Sequence, residues 1–96
     1  MTNQVPIHTA TPAQIAGVGR RIALVWLREV GARPKAYPDA KWSPGGVQAT
    51  ACELRLAIEY GKRPSESAAA WLRERCQSAD LEVRAMAREA ARVVRV

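Results

Sequence analysis

The sequence contains no phenylalanine, a single histidine and only two cysteines, and its aromatic share is 5%. The one histidine, His8, stands in an aperiodic N-terminal stretch. A Ser-His, Cys-His or His-metal arrangement therefore has no well-held member. Cys52 and Cys76 are too few and too far apart for a disulfide framework, and no CxxC motif or Cys/His cluster accompanies them. They read as reduced, small apolar side chains. Strand formers are scarce, because the valines and isoleucines sit among Ala, Leu, Glu and Arg, which favour helix. No apolar run approaches the roughly 18 residues of a membrane span. The opening MTNQVPIHTATPAQ has neither the basic start nor the apolar centre of a secretion signal, so a cytoplasmic protein is expected.

What is present points to one small all-α domain. Ninety-six residues suffice for one core and not two, and a hydrophobic share of 48% beside a charged share of 25% is ordinary globular composition. The net charge of +6 comes chiefly from arginine, with lysine confined to Lys35, Lys41 and Lys62. Arginine's planar fork suits bidentate contact with phosphate or carboxylate.

The chain divides into a flexible tail over residues 1–10 and a single helical domain over residues 11–96. TPAQ marks the first helix: Thr11 caps it, Pro12 occupies the first position where no N–H is needed, and Gln14 closes a capping box. Ile15, Val18, Ile22, Val25, Trp26 and Val30 fall on one face, and Gly31 is placed to stop the helix. GARPKAYPDAKWSPGG, residues 31–46, is too rich in proline and glycine for regular structure and forms a long loop that Tyr37 and Trp42 can pin to the core. Ser43 and Pro44 then open a second helix whose Val47, Ala51, Leu54 and Ile58 line one face and whose Ala49, Leu56 and Tyr60 line another, as expected of a central helix. Gly61 ends it. Ser65 caps a third helix with the stripe Ala68, Leu72 and Cys76 and with Trp71 to one side. Ser78 or Asp80 caps a fourth, where Val83, Met86, Ala87, Ala90, Val93 and Val94 face inward. The expected architecture is thus a compact four-helix domain with a long Pro/Gly-rich loop between helices 1 and 2.

No catalytic, cofactor-binding or metal-binding set emerges. Glu53 and Glu59 lie about a third of a turn apart on one helix and read as solvated carboxylates rather than an acid/base pair. SPGG lacks the spacing of a nucleotide-binding loop. The expected protein is not an enzyme.

Two stretches carry binding potential. Over residues 53–76, Ala57, Gly61, Ala68 and Trp71, supported by Leu56 and Tyr60, resemble a helix-turn-helix, in which a small residue, a turn glycine and apolar anchors set one helix across another. The resemblance implies DNA contact, with Lys62, Arg63 and Arg73 near the corner. Lys62 replaces the apolar residue usual in the turn, and Ser65, Glu66, Ser67, Ala69 and Ala70 offer no bidentate base reader. On the last helix Arg84, Arg88, Arg92 and Arg95 occupy a strip of less than a quarter-turn, able to meet phosphates or an acidic protein patch. Within it SADLEVRAMAREAARV also resembles one helix of a HEAT repeat. It occurs once, and stacked repeats need about three units, so it implies no architecture.

The leading expectation is a small basic regulator or accessory factor that binds nucleic acid, DNA above all. The alternative is a protein-binding module or inhibitor, of the kind carried by phages and mobile elements, that covers a functional surface of a larger partner. A homodimer formed through Leu24 and Leu27 of the first helix is a third possibility.

Overall fold

The computed structural model describes residues 12–37 and 45–96, with side chains from residue 17 onward. Among these residues there are four α-helices and no strand: α1 (Pro12–Ala32), α2 (Gly46–Tyr60), α3 (Glu66–Arg75) and α4 (Leu81–Val94), with a short 3-10 turn at Pro34–Ala36. The all-α, four-helix expectation holds. The tail over residues 1–10, the cap at Thr11, and Trp42, Ser43 and Pro44 lie outside the described residues. No described helix is long and apolar enough to cross a membrane.

Local chemistry fixes the helix ends. α1 does not stop at Gly31, which keeps a helical φ; it runs on to Ala32, and the Arg33 N–H closes onto the Glu29 and Val30 carbonyls at 3.0 and 3.2 Å. The N-cap of α2 is Gly45 rather than Ser43. Gly45 and Gly46 have φ of +86° and +71°, a left-handed entry that a side chain would strain, which is why two glycines stand there. α2 ends as expected at Gly61, φ +65°, with the Gly61 and Lys62 N–H groups donating to the Ala57 carbonyl. Ser65 caps α3 by accepting from the Ala68 N–H at 3.3 Å. Of the two caps weighed for α4, Asp80 does the work, accepting from the Glu82 and Val83 N–H groups at 3.0 and 3.2 Å, while Ser78 accepts from the Asp80 N–H.

α1 and α3 each pack against α2 and α4, and lie diagonally across the core from one another. Large side chains fill that diagonal. Trp26 of α1 stacks on Trp71 of α3 with centroids 6.1 Å apart, and Tyr37, just past the 3-10 turn, lies 6.3 and 6.2 Å from the two rings. Tyr37 itself therefore packs against the core. Leu27, Val30, Leu54 and Leu72 complete the apolar centre, each burial contributing about 2 kcal/mol. α4 buries only Ala87, Ala90 and Ala91 fully, so its backbone can lie close to its neighbours.

Three expectations about faces need correcting. On α1, Val18, Ile22 and Val25 are not core residues: they are 53%, 38% and 61% exposed. The buried face is Ala23, Trp26, Leu27 and Val30. α1 carries two apolar stripes, and packing on α2 and α4 buries one of them. The inward stripe begins at buried Gly19, where a Cβ would displace the movable ends of the Glu89 and Arg92 side chains of α4. Leu27 is fully buried and Leu24 packs on the core, so these two do not offer the free dimer face expected of them. On α2, Leu56 and Tyr60 are exposed, and the helix has one buried side rather than two.

Candidate binding surfaces

The arginine strip and the helical corner were expected to present free cations; the fold engages several of them. Arg88 donates from Nε to the Cys76 carbonyl at 3.2 Å, so its guanidinium closes the C-terminal end of α3. Arg92 is hydrogen-bonded and ion-paired to Glu89 one turn earlier. That hydrogen bond, and the carboxylate charge behind it, push the Arg92 guanidinium further above its ordinary value. Arg73 lies 3.4 Å from Glu66. Arg84 is half-buried, and Arg95 is exposed at the left-handed C-cap of α4, φ +67°.

Lys62 and Arg95 are brought together. They line one shallow cavity of about 300 Å³ between the ends of α2 and α4, with Gly61, Val93 and Val94 and no carboxylate among the lining side chains. Arg63 is exposed one residue further along. Both cations follow helix C-termini, where positive charge also offsets the helix dipole.

The corner between α2 and α3 has a different centre from the one its resemblance suggests. Glu53 reaches across it, and its Oε2 accepts from the Ser65 N–H at 2.8 Å and the Ser65 hydroxyl at 2.7 Å. A carboxylate is well placed at the N-terminus of a helix. Glu53 and exposed Glu66 thus put two negative groups at the start of α3, where a reading helix would meet a polyanion. Ala57, Ala68 and Trp71 are buried, as the motif requires, but Leu56 and Tyr60 are exposed beside Lys62, Arg63 and Pro64.

Arg75 lies 5.6 Å over the Trp71 ring and 3.3 Å from Glu74, its stem packed rather than displayed. Cys52 and Cys76 are both free thiols. Burial raises the Cys76 thiol above its ordinary value of 9.0, with the Arg88 charge pulling it down less strongly.

A second surface was missed in the sequence because its residues were assigned to the core. Val18, Ile22 and Val25 of α1, with Trp26 and with Met86 of α4, form an apolar groove of about 410 Å³ between the two helices. Arg21, Glu29 and Glu82 complete its lining. None of these three forms an ion pair with a described residue. Trp26 also has a buried Nε1–H without an acceptor among the described residues. The signal that could have found this groove is the second apolar stripe, Ala23, Trp26, Leu27 and Val30, which competes with the first for the interior. Comparison with protein-family models, with curated proteins and with solved structures gives no match to this chain.

Proposed function

We propose that this chain is a non-enzymatic protein-binding module whose contact surface is the apolar groove between α1 and α4. The observation that carries this is the exposure of Val18, Ile22 and Val25 in one strip beside Trp26 and Met86; the other exposed large apolar side chains, Leu56, Tyr60 and Leu81, do not line this groove. Small soluble domains seldom leave contiguous branched aliphatic side chains in water unless a partner covers them. A central apolar ridge edged by Arg21, Glu29 and Glu82 matches the usual anatomy of a protein contact, an apolar centre with a polar rim. Val18→Asp with Val25→Asp tests it. Affinity capture from an extract of the cells that make the protein should yield a specific partner with the wild-type chain and lose it with this double variant. A partner retained equally by both would refute the assignment of the groove.

Nucleic-acid contact is the second role, and one observation favours it: Lys62 and Arg95 share a cavity with no carboxylate lining, with Arg63 beside it, in a chain of net charge +6. Against it stand the intramolecular engagements of Arg73, Arg88 and Arg92. Fluorescence anisotropy of a labelled mixed-sequence duplex at several salt concentrations decides it. Binding with a linear log–log salt slope, lowered in Lys62→Glu with Arg95→Glu, would support a phosphate contact.

A further inference from the structure

The groove has a charge pattern that points to its occupant. Val18, Ile22, Val25 and Glu29 succeed one another at steps of four, three and four residues, the alternation that keeps one helix face against a second helix. Arg21 and Glu29 stand four residues before and four residues after Val25, the most exposed of the three aliphatic positions. Reversing the direction of α1 about Val25 therefore exchanges the places of Arg21 and Glu29. The charge pair is thus complementary to itself in the antiparallel sense, as a two-fold interface requires, while Ile22 and Val18 fall opposite Arg28 and Ala32.

We infer that the occupant of the groove is a second copy of this chain, with the two α1 helices packed antiparallel about a two-fold axis at Val25. The proposal rests on the groove being a protein-contact surface. Val18 and Ile22 of each copy lie over Ala32 and the aliphatic stem of Arg28 on the other's α1, and Val25 meets its own counterpart on the axis. Arg21 of each copy pairs with Glu29 of the other, so the pair forms twice and supplies each charge with a partner its own described residues do not provide. Met86 walls the groove on the α4 side, and Trp26 lines it from α1. The buried stripe of α1, including Leu27, stays committed to the core of its own copy.

The test is sedimentation equilibrium of the full chain from low to high micromolar concentration, with four proteins: wild type, Arg21→Glu, Glu29→Arg, and the double reversal. These positions are exposed, so folding is expected to survive, and circular dichroism checks it. The wild-type chain is expected to dimerise. Each single reversal sets like charges opposite each other twice and should weaken the dimer by about tenfold or more, while the double reversal recovers wild-type association. A wild-type chain that stays monomeric throughout overturns the proposal, and so does a double reversal no better than the singles. A bis-ANS titration of the same samples separates the two levels. A monomer that binds the dye, and loses it on Val25→Asp, keeps the groove as a docking surface for another protein. A monomer that binds no dye there removes both ideas together.

Discussion

The Glu53 carboxylate holds both the N–H and the hydroxyl of Ser65, at 2.8 and 2.7 Å, and so ties the middle of α2 to the first residue of the α3 cap. Ser65 in turn accepts from the Ala68 N–H. The corner is a hydrogen-bonded unit rather than a simple stop and restart. Ser65→Ala should cost about 1 kcal/mol, and Glu53→Ala about 1 kcal/mol. Because both remove the same contact, the double variant should cost clearly less than the sum. Urea denaturation of the three variants measures the coupling, and strict additivity would show that the two residues act independently.

The two stripes of α1 differ in what they support. Leu27→Ala opens a cavity in a fully buried site and should destabilise the chain by about 2–5 kcal/mol. Val25→Ala removes methyl groups already 61% exposed and should change the stability of the monomer by no more than about 0.5 kcal/mol. Denaturation midpoints at low protein concentration compare them directly. Equal losses would mean that Val25 belongs to the core after all.

These two elements also show how much could be read in advance. Helix number, the starts of α1 and α3, the end of α2 and the Tyr37 anchor were legible because caps, glycines and prolines act locally. The inward face of α1 was not. Val18, Ile22 and Val25 make as good a stripe as Ala23, Leu27 and Val30, and the choice between them is made by packing on α2 and α4, elements far away in the sequence. The engagement of Arg88 was not legible either, because the Cys76 carbonyl that draws it in lies twelve residues away and has no local signal. The role of Glu53 was hidden for the same reason: its partner is on the next helix.

Gly61 adopts φ +65° at the end of α2, a conformation that costs a side-chain-bearing residue about 1 kcal/mol. No atom outside its own chain neighbours would touch a Cβ there, so Gly61→Ala isolates the backbone term. The expected result is a loss of about 1 kcal/mol with helix content unchanged by circular dichroism. No loss would show that the corner relaxes to another conformation.

The two thiols should separate by reactivity. Cys52 is exposed, whereas burial raises the Cys76 thiol above 9.0 in spite of Arg88. At pH 8 iodoacetamide should modify Cys52 first and Cys76 markedly more slowly, as read by mass spectrometry of digested protein. The folded chain holds the Cys76 proton more tightly than the unfolded chain does. The stability linked to it is therefore complete below pH 9.0 and declines as pH rises through the folded value. Equal alkylation rates would contradict the burial of Cys76.

The most direct measurement concerns position 25. In a background carrying Cys52→Ser and Cys76→Ser, the Val25→Cys variant is alkylated in dilute solution, in concentrated solution and in an extract of the cells that make the protein. Tyr60→Cys, on exposed α2 surface, is the control. Alkylation of the Val25→Cys variant should slow when the groove is covered while the control keeps its rate. Slowing with the protein's own concentration is the outcome expected for a second copy, and slowing only in the extract would mean a different protein partner. A rate unchanged in all three conditions would contradict the claim that this apolar face is a protein-contact surface.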